Sequence, residues 1–383
     1  MYRSLQKGLS LVELMISLTI GSVITAGIVQ LFSANSETYG VMTGQSRMQE
    51  SARFSLDFIG RDVYKAGYFG CFSSNEQLYW TAASGDNIPY EFDLRSGLQG
   101  YNASDVDRDW NPDLDDLPTT VNGTNTNVFV VGTGINSGSI VSGTDVITIR
   151  SLSAQDVETR LVEELLSATD DIEVVKPADG TELGFDVGDL AMIYDCEKAT
   201  IFQVTGPASS LKPYSDPIVI EHDVDAAGVP WGNSFARLAI KNSFDTDAYV
   251  SAIETNTYFI APGQGENNSG QAPLSLWRKS GTTSPIELVE GIENLQILYG
   301  VSTDDDLTPN QYVSSINDVS LKNVVTIRVT VIANSIDDVG GSSAPTHGCI
   351  IQNCYEDEGE DEAGIDGLIR RAFTQTFMLR NRS

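Results

Sequence analysis

Histidine is nearly absent: His222 and His347 are the only two in 383 residues. That argues against a His-rich zinc site and against an imidazole-centred relay. Basic residues are scarce too, with 23 Lys and Arg against 53 Asp and Glu, a formal net charge of −30. Coulomb repulsion at that charge opposes non-specific binding of nucleic acid or anionic lipid, but not of cations. No G-x-S-x-G, H-E-x-x-H or Walker loop is present, so the chain is not expected to be an enzyme. Carboxylate pairs are uninformative in a chain with 53 acids. Proline is missing from Leu9 to Ala66. Apolar residues are not scarce. At 41% hydrophobic and 8% aromatic, the chain can bury a core and is no disordered acidic tail.

The N-terminus sets the compartment. A short polar segment, residues 1–8, carries Arg3 and Lys7. Residues 9–32 follow with one charge, Glu13. About 20 apolar residues span a bilayer as a helix, and the preceding cations place the N-terminus in the cytoplasm. A secretory signal peptide needs a small-residue cleavage site, which Ser33-Ala34-Asn35-Ser36 mimics. However, the run is long for a signal peptide and carries a glutamate. A plain anchor is the second reading, but it leaves Glu13 unexplained, because an unpaired carboxylate within the membrane costs several kcal/mol. Cleavage between Gly8 and Leu9 is the third. It frees the α-amine of Leu9, which can pair with Glu13 of a neighbouring subunit.

Lys7-Gly8-Leu9-Ser10-Leu11-Val12-Glu13-Leu14 resembles the prepilin processing site of type IV pilins and type II secretion pseudopilins. The resemblance implies that a prepilin peptidase cuts after Gly8 and methylates Leu9, and that Glu13 is the assembly residue. The first mature residue is usually Phe in that family, and here it is Leu9. Further along, Gln49 to Phe58, Arg61-Asp62 and Ala66 to Cys71 resemble the PilW subgroup of minor pilins. Leu288 to Val301 and Arg370 to Arg382 resemble the same subgroup, with the loops between left uncovered. Type II secretion pseudopilin J is the related alternative.

Beyond the membrane the helix turns amphipathic. Met48, Ala52, Leu56, Ile59, Val63 and Ala66 recur every three or four residues. Glu50, Arg53, Asp57 and Arg61 mark the solvated side. A helix over 9–66 would be about 87 Å long, and Gly67 and Gly70 suit its end. From Phe72 the pattern alternates. Strands are expected at 127–131, 145–150, 189–194, 199–204, 217–221, 236–240, 256–261, 274–278, 286–289, 295–300, 323–333 and 372–379. Long loops are expected at 84–126 and 336–367, and a short helix over Gln155–Leu166. The fold class is therefore α+β and type IV pilin-like, a long N-terminal helix packed on an antiparallel β-rich domain. The organisation is a leader (1–8), a membrane half (9–32), an amphipathic half (33–68) and an acidic exported domain (69–383).

Four cysteines in an oxidising periplasm allow three pairings. Cys349 and Cys354 lie close together in one loop, which leaves Cys71 to pair with Cys196 and clamp the helix to the sheet. A zinc site of all four lacks the usual C-x-x-C spacing. Asp105, Asp107, Asp109 and Asp116 echo a calcium loop, but Trp110 stands where the sharp turn needs glycine. A looser Ca²⁺ cage or a solvated acidic loop remain as alternatives there, and no other cofactor is expected. The turn at Ser302 to Asp306 and the acidic run Glu356 to Glu362 read as surface loops. His222 reads as a surface or strand-edge residue.

The resemblance implies a minor pilin held in the bacterial inner membrane by residues 9–32, then carried into the periplasm or pilus at its tip. Its partners would be other minor pilins in a priming complex, the pilus assembly machinery, the prepilin peptidase and a tip adhesin. Direct nucleic-acid binding is not expected. The alternative from another class is a membrane-tethered periplasmic enzyme or cation-binding protein. The charge is divided unevenly. Residues 1–68 carry six basic and five acidic side chains, whereas residues 69–383 carry 17 and 48. Acidity therefore belongs to the exported domain and says little about assembly.

Overall fold

The computed structural model describes residues 10–72, 78–81, 93–94, 96–103, 110–111, 114, 120–121, 124–125, 140–153, 159–167, 170–176, 186–206, 216–223, 233, 243–281, 283–304, 306–316, 319–339 and 367–380. One helix, α1 (Leu11–Lys65), precedes a β-rich globular region. Its 55 residues extend about 82 Å at 1.5 Å each. The helix stops at Gly67, whose φ of 70° lies in the left-handed region that a side chain resists. The Gly67 N–H donates to the Arg150 carbonyl at 3.0 Å, which ties the helix end to the sheet below.

The strands in chain order are β1 (Leu78–Trp80), β2 (Leu98–Ala103), β3 (Trp110–Asn111), β4 (Thr120–Val121), β5 (Thr124–Asn125), β6 (Val146–Leu152) and β7 (Thr159–Arg160). Next come β8 (Ile172–Val174), β9 (Leu190–Tyr194), β10 (Ala199–Gln203), β11 (Ile218–Ile220), β12 (Tyr249–Pro262) and β13 (Leu274–Ser280). The last are β14 (Ile286–Glu290), β15 (Ile292–Val301), β16 (Gln311–Val313), β17 (Val324–Asn334) and β18 (Arg370–Met378).

Two sheets matter most. The larger runs β1-β10-β9-β12-β6-β2-β3, and β13, β14 and β7 join through β12. Its hub is β12, whose 14 residues pair with β7 and β9 early, β6 in the middle and β13 late. The second sheet is four-stranded and antiparallel, ordered β16-β15-β17-β18. Asp145, just ahead of β6, links the sheets. One carboxylate oxygen accepts the Ala103 N–H at 2.9 Å and the other accepts the Ile297 N–H at 2.7 Å.

The main core lies between α1 and the two sheets. Met48, Ala52, Leu56, Ile59, Val63 and Ala66 are all buried there against β6, β12, β13, β15, β17 and β18. Full burial of one Leu, Ile or Val stabilises by about 1.5–3 kcal/mol, so this stripe holds the helix down. Close approach is set by Gly60: a Cβ there would collide with the Phe377 ring of β18.

Several expectations need correction. Residues 159–166 are not helical. Thr159 and Arg160 pair with β12, and Leu161 and Leu165 form bridges to Val174 and Phe244. The apolar residues four apart fill a satellite core with Ile172, Val174 and Phe244. Short strands interrupt the expected loop at 84–126. The strands expected at 127–131 and 236–240 lie outside the described residues. Of the two readings of His222, surface or strand-edge, the surface one is overturned. His222 is buried just beyond β11 and meets Phe202 edge-on at 6.0 Å.

Candidate assembly helix

The helix begins with a cap. Ser10 has extended backbone angles, and its Oγ accepts the Glu13 N–H at 3.2 Å. This satisfies one of the helix's orphan donors, and a carboxylate in the first turn complements the helix dipole. An 18-residue window of α1 reaches a mean hydropathy of 1.9, with none of it buried. Every described residue from Ser10 to Tyr39 is exposed, including Leu11 at 76% and Phe32 at 76%.

Lipid leaves polar groups without water, so each must find a partner inside the protein. The hydroxyls of this half do so within the helix. Ser17 donates to the Glu13 carbonyl at 2.6 Å, Thr19 to Met15 at 2.9 Å, Ser22 to Thr19 at 2.9 Å and Thr25 to Gly21 at 2.9 Å. Glu13 differs: among the described residues, no side chain pairs with its carboxylate. Gly21 and Gly27 face open space, with nothing within 4 Å of where a methyl group would sit. Small residues on a bare membrane helix let another helix approach closely.

Burial begins at Gly44, where a Cβ would touch Ser335 at 3.0 Å and Val339 at 3.2 Å. Here the helix leaves the domain along an open polar notch of about 590 Å³. Arg47 and Asp337 form an ion pair across it at 3.3 Å. Asn268 braces the far wall, donating from Nδ2 to the Asp338 carbonyl at 2.8 Å and accepting the Asp338 N–H at 2.9 Å.

The outer half of α1 is anchored by a polar cluster that sequence patterning missed. Asp62 is 7% exposed. Its Oδ2 accepts the Tyr258 hydroxyl at 2.6 Å and the Asn256 amide at 2.8 Å, both from β12. Lys65 reaches Glu254 Oε2 at 2.8 Å and Asp62 Oδ1 at 3.5 Å. Ser280 of β13 donates to Asn256 Oδ1 at 2.6 Å. Burial raises the Asp62 carboxyl above the usual carboxylate range, against the Tyr258 hydrogen bond and the Lys65 charge that lower it. Burial, and then the Asp62 charge, push the Tyr258 phenol well up. Burial pulls Lys65 down, yet hydrogen bonding to Glu254 and its charge win, and the ammonium ends raised. The cluster fixes the helix on the sheet; it presents no activated nucleophile. The signal was available: position 62 lies three after Ile59 and four before Ala66, inside the apolar stripe.

Just past the helix, Cys71 is disulfide-bonded to Cys196 in the turn between β9 and β10, with Cα atoms 4.8 Å apart. The helix end is therefore covalently tied to the large sheet. Gly8, Leu9, Cys349, Cys354, Asp105, Asp107, Asp109 and Asp116 lie outside the described residues. Among the described residues, no group of three or more His, Cys, Asp or Glu is placed to hold a metal ion. Asp304, in the turn after β15, is exposed; hydrogen bonds from Asn310 and Ser302 hold it below the usual carboxylate range.

Two family models match the chain. Residues 257–381, from β12 to beyond β18, match the family model of type IV pilus-assembly protein W. Residues 3–29 match the prokaryotic N-terminal methylation motif. No protein of curated function matches the chain. A solved type IV-like pilin from Thermus thermophilus aligns over 52% of this chain and 87% of its own, at 12% identity and a TM-score of 0.19, too weak a likeness to carry the fold.

Proposed function

We propose that this chain, a type IV pilin-like minor pilin with a PilW domain, is cut between Gly8 and Leu9, methylated on Leu9, and assembled into a priming complex at the pilus tip. The observation that carries this is the bare apolar half of the helix, whose one carboxylate, Glu13, has no partner among the described residues. A membrane-embedded Glu13 costs several kcal/mol until a cation meets it. The α-amine of a neighbour's Leu9, freed at matching depth, is such a cation. Lateral packing of α1 against other pilins then turns an unfavourable residue into an assembly contact.

The apolar helix, the single one of that length and hydropathy among the described residues, and the methylation motif fit an inner-membrane anchor with the acidic domain outside. A tip position suits a domain that spans residues 69–383, because one such bulk per subunit would crowd a thin helical fibre. The test is pilus counts in strains carrying Gly8→Ala or Glu13→Gln. Both should lose most pili while the chain stays at normal level in the membrane. Normal piliation in both strains would refute the reading.

A further inference from the structure

The C-terminal strand β18 ends the four-stranded sheet, and among the described residues its one strand partner is β17. Its nine residues pair with β17 from Thr326 to Asn334 with no shift in register. The Leu379 N–H donates to the Val325 carbonyl at 3.0 Å, and the Ser335 N–H to the Ile369 carbonyl at 3.0 Å. Antiparallel pairing alternates, so residues 371, 373, 375 and 377 bond inward to β17. Ala372, Thr374, Thr376 and Met378 then turn their backbone N–H and C=O groups outward. Arg371, Thr374, Gln375, Thr376 and Met378 are exposed.

Long open edges are normally blunted by proline, bulges, lysines or short length. β18 has no proline, lysine or bulge. The edge from Arg371 to Met378 is about 26 Å long, enough for a full partner strand. Its charge is also exceptional. Residues 368–383 contain four arginines and no acid, in a chain of net charge −30. Arg370 is occupied by Glu293 at 2.7 Å. Arg371 and Arg380, both exposed, bracket the edge, Arg371 over the Phe373 ring at 5.6 Å and Arg380 over the Tyr64 ring at 5.7 Å.

We propose that β18 is a docking edge for an extended acidic segment of another protein, which adds as a further strand and sets its carboxylates against Arg371 and Arg380. A second copy of this chain is disfavoured. Antiparallel self-pairing brings Arg371 of one copy toward Met378–Arg380 of the other, and parallel self-pairing aligns like arginines; like charges across strands destabilise. The acidic remainder of the domain opposes an acidic partner only weakly, because salt screens charges beyond about 8 Å. The β18 edge touches the outer half of α1, through Arg380 over Tyr64, and not the membrane half that carries Glu13, so the proposal stands or falls independently of Glu13-mediated assembly.

The test uses the full-length chain in detergent and two synthetic nine-residue probes of alternating Val and Thr, one with Asp at both ends and one with Lys. The Asp peptide should bind about fivefold or more tighter. Hydrogen exchange at Ala372, Thr374, Thr376 and Met378 should slow when it binds. Thr374→Pro with Thr376→Pro removes two outward N–H groups but no ladder bond to β17, and should weaken binding about tenfold. Arg371→Glu with Arg380→Glu leaves the backbone intact and should reverse the peptide preference, which keeps the test decisive if the proline variant fails to fold. Equal binding of both peptides, unchanged exchange at the four amides, or sedimentation of the free chain as a dimer that the arginine swap abolishes would overturn the proposal.

Discussion

Replacing Asp62 with alanine removes the acceptor at the centre of the contact between helix and sheet. As acceptors, the Tyr258 hydroxyl would keep the Phe58 carbonyl at 3.3 Å and the Asn256 amide would keep Glu254 Oε1 at 3.1 Å. A buried polar group left wholly unsatisfied costs about 1–3 kcal/mol. With weaker partners remaining, and with the carboxylate's own desolvation relieved, Asp62→Ala should lose about 2 kcal/mol. Asp62→Asn keeps the shape and an acceptor for Tyr258, and should cost less than about 1 kcal/mol at neutral pH. The two variants also differ from wild type in pH dependence. Burial raises the folded-state pKa of Asp62 above 3.8, so the folded chain binds more protons than the unfolded chain in that window. Wild-type stability therefore falls as pH rises from 3.8 through the folded pKa, and Asp62→Asn lacks that slope. The stability difference should move in favour of the asparagine variant as pH rises. Urea unfolding of the full chain in detergent, followed through the buried Trp277, measures both effects. Equal losses in the two variants, or a difference that moves toward wild type with rising pH, would refute the reasoning.

Gly60→Val places a side chain against Phe377 and should lose about 2 kcal/mol, whereas Gly40→Ala, with open space around it, should be neutral or gain up to about 1 kcal/mol; thermal unfolding separates them. Cys71→Ser with Cys196→Ser opens a loop closed over 125 residues, for which chain entropy gives a loss of about 2–5 kcal/mol, read from the urea midpoint. Lys65→Met should lose about 1 kcal/mol after screening. Because the folded Lys65 pKa is raised, that loss should be constant below pH 10.5 and vanish as pH climbs through the folded value.

The helix was legible because burial imposes a period. All six residues of the 48–66 stripe lie in the core, and the absence of proline let one helix run to Lys65. Strands such as β9 and β10 were legible as short, largely apolar runs, since every residue in them is buried. Where tertiary pairing overrides local pattern, reading failed. Leu161 and Leu165 carry helical spacing but meet separate partners, Val174 and Phe244, as isolated bridges. The anchoring cluster was missed for a related reason. Charged residues on an amphipathic helix usually face water; the place of Asp62 inside the apolar stripe spoke against that, but the partners that satisfy it lie 194 and 196 residues away. Glu13 was legible from one local conflict, a carboxylate inside an apolar run.

The central claim is that the N-terminal helix is processed and used for assembly, and intact-mass and N-terminal peptide analysis of the chain from the membrane tests it most directly. The account predicts a chain that starts at Leu9 and carries one methyl group on its α-amine. A chain that still starts at Met1 would contradict it.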